Sequence, residues 1–270
     1  MKKIKSKVII FIICLISFNS IEVFALNTTN IIINNNSILI TEQEHQNLLN
    51  LGFTHDEILN MSSEEFNDNK DLKGEIVSQN TIYMDQQNNI LNNNISILGL
   101  QPGYIETTAK KMTTTIVSVN NKYRYKITLE WKNIPSTRSY DIIGIGTDTN
   151  VKINSGIYFQ QNFCYSSNNC DSSIVNTVKS TSTGATSTFK LPSSDIVSLS
   201  SYLYFDVSKN TTSTITQLNA YGDYSHATKN ISKSNANNHS INRGGILLDS
   251  SISSYYDSIT TAKSVWTGSW

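Results

Sequence analysis

Between Tyr123 and Lys132 the chain alternates without a break. Tyr123, Tyr125, Ile127, Leu129 and Trp131 are apolar, and Arg124, Lys126, Thr128, Glu130 and Lys132 are polar. Strict alternation puts one set on each side of a pleated strand, because successive Cβ atoms point to opposite faces. A helix would scatter the same five apolar side chains around its circumference. The segment therefore commits the chain to a sheet with one packed face and one face expected to be wet. Asn120-Asn121 before it suits a two-residue hairpin turn, since asparagine tolerates positive φ, and would pair it with residues 113–119. Further strand candidates are residues 140–146, 157–163, 186–191, 202–207, 213–218 and 245–248, while 252–259 reads as a strand or a short helix. Seven or eight strands in residues 104–270 predict a mainly β chain. The expected C-terminal domain is an antiparallel β-sandwich, with a barrel as the alternative.

Upstream the pattern changes character. Thr41 with Glu44, Thr54 with Glu57, and Ser62 with Glu65 each fit a capping box, in which hydroxyl and carboxylate satisfy orphan amides reciprocally. Gly52 sits where a left-handed residue would close the first helix. Leu48, Leu49, Leu51, Phe53, Ile58, Leu59, Met61 and Phe66 supply an apolar face. A small three-helix motif over residues 41–72 follows. A piece this short buries too little surface to stand alone, so it must lean on the rest of the chain or on a partner. Its acids, Glu42, Glu44, Asp56, Glu57, Glu64, Glu65 and Asp68, are expected on a solvated face. Residues 26–40 read as a leader or a lone strand. Residues 73–103, with Asn88-Asn89, Asn92-Asn93-Asn94 and a Pro102-Gly103 turn, read as an Asn-rich linker whose cleavage would release a helical prosegment.

Residues 1–25 have the three parts of a secretory signal peptide. Lys2, Lys3, Lys5 and Lys7 precede an apolar run from Val8 to Phe18, and Val23-Phe24-Ala25 predicts a cut between Ala25 and Leu26. The apolar run is too short for a spanning helix, which needs about 20 residues. No transmembrane segment is expected after its removal. The whole chain balances 21 basic against 21 acidic residues. Four lysines and Glu22 would leave with the signal, so 17 basic and 20 acidic residues remain and the net charge falls to −3. A nucleic-acid binder would show the opposite bias. Charged residues are 16% of the chain, where about 25% is usual, and Asn, Ser and Thr fill the gap. Export leaves two cysteines, Cys164 and Cys170, expected to form a disulfide that shapes a Tyr- and Asn-rich loop.

Chemistry is sparse. Gly-x-Ser-x-Gly, His-Glu-x-x-His and phosphate-loop motifs are missing, and Asp148-Thr149-Asn150 fails as a calcium loop because Lys152 and Ile153 occupy key positions. No metal and no cofactor is expected. Gly222-Asp223-Tyr224-Ser225-His226 gathers four reactive side chains, but on a strand Asp223 and Ser225 face away from Tyr224 and His226. Glu106, Glu130, Asp141, Asp206, Asp223 and Asp257 offer carboxylates whose pairing only geometry can reveal. Two Ser/Thr-rich stretches, residues 179–188 and 210–216, suggest the inserting hairpin of a β-pore-forming toxin. The apolar partners such a hairpin needs are mostly missing.

The run from Asn47 to Met61, with Leu51-Gly52-Phe53-Thr54 at its centre, followed by Phe66 and Lys70-Asp71-Leu72-Lys73-Gly74, resembles uncharacterised secreted proteins of low-GC Gram-positive bacteria. So do Arg124–Trp131, Arg138–Gly144 and Gly222–Ala227. That resemblance implies export and a helical motif ahead of a β domain, and carries over no catalytic residue. The reading is a secreted, non-enzymatic protein that binds a cell-surface glycan or protein. Tyr165, Tyr224, His226, Trp266 and Trp270 are its candidate ligand contacts. A membrane-active β-pore-forming toxin is the first alternative and a secreted hydrolase the second. Oligomeric state is left open.

Overall fold

A computed structural model of the chain describes residues 31–86, 89–91, 109–154, 156–167, 169–174 and 177–270. The expected signal peptide, its cut at Ala25–Leu26, the start of the leader and the Pro102-Gly103 turn lie outside the described residues. The chain begins with β1 (Ile31–Ile33), β2 (Leu39–Thr41), α1 (Glu42–Asn50), α2 (His55–Leu59) and α3 (Ser63–Asn69). Then come β3 (Gly74–Met84), β4 (Lys110–Val119), β5 (Lys122–Trp131), β6 (Tyr140–Thr147), β7 (Val151–Ile153), β8 (Tyr158–Ser166) and β9 (Asn169–Ile174). The remainder is β10 (Val178–Thr181), β11 (Gly184–Lys190), β12 (Ser198–Lys209), β13 (Gln217–Ser225), α4 (Lys233–Ala236), β14 (His239–Asn242), β15 (Gly245–Leu248) and β16 (Thr260–Thr267).

The molecule is mainly β, and its two large antiparallel sheets face each other as a sandwich. The larger runs β3-β4-β5-β12-β8-β9, with β7 also on β12, and the smaller runs β10-β11-β6-β13-β16. Ile127, Leu129, Leu203 and Phe205 from the larger sheet meet Ile143, Ile145, Leu218 and Phe189 from the smaller in one apolar core. Each such side chain contributes about 1.5–3 kcal/mol by leaving water. The β4–β5 turn is built as its residues require, with Asn120 at φ 48° and Asn121 at φ 64°. That left-handed pair matches the twist of the flanking strands.

Several expectations change. The segment read as linker contributes β3, which pairs with β4 from Gly74↔Val119 to Met84↔Lys110. Its sequence is polar because β3 ends the sheet order and leaves part of its surface in water. The described part of the leader, from Ile31, forms a hairpin, β1 with β2. Strand β13 begins only at Gln217, so most of residues 213–218 is loop. The tail is a 3-10 turn at Ser253–Tyr255 followed by β16. Of the Ser/Thr-rich stretches, residues 179–188 form most of the β10–β11 hairpin, in which Thr186, Ser187 and Thr188 are buried.

The largest correction concerns the polar face of β5, which is covered. The three short helices lie across the outside of the larger sheet, and Leu48, Leu51, Phe53, Ile58 and Phe66 pack with Val117, Val119, Tyr202 and Tyr204. Arg124, Lys126 and Thr128 are consequently 3%, 1% and 5% exposed, and Glu57 and Glu65 are 1% exposed rather than solvated. Burial of charge requires partners. Lys126 Nζ donates to both Glu57 oxygens at 2.8 Å, and Thr128 Oγ1 donates to Glu57 Oε1 at 2.8 Å. Arg124 reaches Asp206 at 2.8 Å and Asn69 Oδ1 at 2.6 Å. The first two capping boxes close as expected. In the third, Ser62 accepts from the Glu65 amide, but the Glu65 carboxyl takes the Tyr202 hydroxyl at 2.7 Å instead. Burial pushes that carboxyl up to about 8, against the downward pull of the Tyr202 bond.

Candidate functional site

Register decides which polar groups meet at the far end of β5. In β6, Asp141, Ile143 and Ile145 share the inward face, and in β13 Tyr224 shares it, since Tyr224 lies opposite Ile143. Asp141 is fully buried and collects donors. The Ala227 amide donates to Oδ1 at 2.8 Å, and the Tyr224 hydroxyl donates to Oδ2. His226 Nδ1 lies 3.1 Å from both oxygens. A carboxylate already receiving two donors acts as acceptor, so the Nδ1 proton belongs to the histidine. In the neutral ring that leaves the lone pair on Nε2.

A second buried pair abuts the first. Lys110 Nζ contacts Asp257 Oδ2 at 3.0 Å, and Asp257 Oδ1 accepts the His226 amide at 2.7 Å. Burial pushes the Asp257 carboxyl up, opposed by the Lys110 ammonium. Trp131 closes the group, with Lys110 Nζ 4.9 Å from its ring and the His226 ring edge-on at 5.0 Å. The Tyr224 hydroxyl is pushed well up, first by burial and then by the Asp141 charge.

Trp131, His226 and Asp257 lie at the wall of a cleft of about 540 Å³, whose other sides are Gln86, Asn133, Ile134, Pro135, Thr228 and their neighbours. Amide, hydroxyl and carboxyl groups alternate there with the Ile134-Pro135 surface and the indole. With Nδ1 committed to Asp141, Nε2 is the ring nitrogen that His226 offers to an occupant.

The five expected ligand contacts do not converge. Tyr224 and His226 come together as alternation predicts, while Asp223 turns the other way and accepts the Ile246 amide at 2.6 Å. Gly245 must be glycine there, since a Cβ would lie 1.8 Å from Asp223 Oδ2. Trp266 and Trp270 pack on Tyr123, with ring centroids 5.0 and 4.8 Å away. Tyr123 lies eight residues along β5 from Trp131, about 26 Å at the usual strand rise. Tyr165 stands apart on the β8–β9 hairpin, 40% exposed. Cys164 and Cys170 are bonded and close that hairpin. The site roles of Lys110 and Trp131, and the pairings of Asp141 with His226 and of Asp257 with Lys110, escaped the sequence reading. For Asp141 and Lys110 the signal was a charge at an inward position of a largely apolar strand face, as in Asp141-Ile143-Ile145. Asp257 lies outside any strand and gave no such signal.

Among the described residues, no three His, Cys, Asp or Glu side chains converge as a metal site. His45 and His55 meet as a pair, Nε2 to Nδ1, at 3.1 Å. No helix among the described residues is long and apolar enough to cross a membrane. Comparison of the sequence with protein-family models and with curated proteins finds no match.

Proposed function

We propose that the protein works outside the cell as a non-enzymatic binding protein, and that the cleft beside Trp131 and His226 takes a glycan. The observation that supports this best is the fixed array at its wall. Asp141 holds His226 by its ring, Asp257 holds it by its backbone, and both carboxyls are themselves anchored. Groups fixed before binding lose little freedom on binding, which favours recognition of a hydroxyl-rich ligand in water. The mixed lining suits a sugar, whose rim is polar and whose ring faces carry C–H groups. The test is retention of the purified protein on immobilised cell-wall polysaccharides. Retention is expected, with at least a tenfold loss in His226→Ala; no retention on any polysaccharide contradicts the reading.

A hydrolase is the second reading, favoured by the Asp141–His226 pair alone. His226 Nε2 would take a proton from water while Asp141 steadies the imidazolium. Release of reducing sugar by the wild-type protein, abolished in His226→Ala, decides for it over binding without turnover.

A further inference from the structure

We infer that Lys110 and Asp257 condense into an amide, a covalent cross-link between the two sheets. The inference does not depend on what the cleft holds. Lys110 is the first residue of β4 in the larger sheet, and Asp257 lies in the loop that leads into β16 of the smaller. They are 147 residues apart in sequence, yet Nζ stands 3.0 Å from Oδ2.

The pair is dry. Its side chains are 0% and 6% exposed, and the Trp131 and Tyr224 rings stand 4.9 and 5.9 Å from Nζ. Taking an ion pair out of water is costly, and passing one proton from ammonium to carboxylate removes both charges at once. Burial pushes the Asp257 carboxyl up, which favours that exchange. What results is a neutral amine, a nucleophile, against a carboxylic acid. Asp257 is also fixed in place, its amide donating to the His226 carbonyl at 3.0 Å and its Oδ1 accepting the His226 amide at 2.7 Å. Groups held in contact react as if at very high concentration, about 10⁵–10⁸ M when well oriented. The two carboxyl oxygens are not equivalent. Oδ1 is held by a backbone N–H, which steadies the negative charge gathered there when nitrogen attacks. Oδ2 faces the nitrogen and is the oxygen that leaves. In the step, Nζ bonds to Cγ and the Cγ–Oδ2 bond breaks. The ammonium gives up two protons, and both depart with Oδ2 as water into the cleft that Asp257 borders. Oδ1 becomes the amide oxygen and keeps its bond to the His226 amide, and no oxidant or co-reactant is needed. At the other buried lysine, Lys126 Nζ bridges both Glu57 oxygens at 2.8 Å, and neither is marked to leave. That pair is expected to stay ionic.

The test is mass spectrometry of the purified full-length protein, denatured and reduced. A tryptic digest should yield the peptides of Lys110 and Asp257 joined, lighter by one water than their sum, from a chain whose intact mass is that of one copy. Lys110→Arg keeps the positive charge but removes the amine, and Asp257→Ala removes the carboxyl. Each variant should regain the mass of that water once its substitution is counted. The wild-type digest decides the question even where a variant fails to fold. Separate, unmodified peptides for Lys110 and Asp257 in the wild type overturn the inference, and they leave the ion pair and the cleft reading standing. A cross-link found between Lys126 and Glu57, with Lys110 unmodified, overturns it as well.

Discussion

The two faces of β5 are both buried, yet they are held by different physics. Inward, Ile127 and Leu129 pack among aliphatic and aromatic side chains, with no charge to satisfy. Outward, Arg124, Lys126 and Thr128 meet Glu57, Asn69 and Asp206 in a layer of ion pairs and hydrogen bonds. Three tyrosines stand beside it, with Tyr202 and Tyr204 stacked at 7° and Tyr158 within 24° of each. The aliphatic stretch of the inner face, at Ile127 and Leu129, has no titrating group in its packing. The outer one depends on each proton and each partner being in place, because a charge stripped of water and of its counter-ion is far costlier than a lost methyl contact. A motif too small to be stable alone is thus fastened to the sheet by specific partners as well as by its leucines.

The largest effect that sets the faces apart is expected from Lys126→Met. It strands Glu57 in a buried site and should cost about 3–5 kcal/mol in equilibrium denaturation. The double variant Lys126→Met with Glu57→Leu should recover most of the loss. No recovery would mean that the pair is not what fastens the motif. On the inner face, Leu203→Ala should cost about 3 kcal/mol through its cavity, with no change in the pH dependence of unfolding.

The pH dependence itself is the third prediction. The Glu65 carboxyl sits near 8 when folded and near its ordinary 4.5 when unfolded. Its contribution is therefore fully present below about 4.5 and is lost as pH rises to about 8. Glu65→Gln keeps an acceptor for Tyr202 and carries no proton to lose. Its unfolding free energy should fall less than that of the wild type between pH 5 and pH 8.5. Asp223, pushed up to about 7 by burial, loses stability in the same direction and leaves a residual slope in the variant. Parallel curves for variant and wild type would contradict this assignment. The smallest effect is expected from Cys164→Ser with Cys170→Ser, about 2 kcal/mol for so short a loop.

What could be read from the sequence follows the same division. The inner face of β5 was legible because alternation reports apolar residues directly. The three helix starts were legible because a capping box is local chemistry. The outer face was misread as wet, since Arg124, Lys126 and Glu57 look like surface residues until the motif is folded over them. β3 was missed because an end strand carries few apolar residues, and its evidence is the pairing with β4. The cleft needed register. Asp141 and His226 are 85 residues apart, and nothing local relates them.

The cleft at Trp131 and His226 is where we propose that ligand is held. The most direct measurement is a two-dimensional NMR titration of the full-length protein with a soluble cell-wall oligosaccharide, following the histidine ring and tryptophan indole signals. The His226 and Trp131 resonances should shift together and saturably, and Asp141→Asn should abolish both shifts. Shifts confined to Trp266, Trp270 and the Tyr165 hairpin, with His226 and Trp131 unmoved, would contradict it.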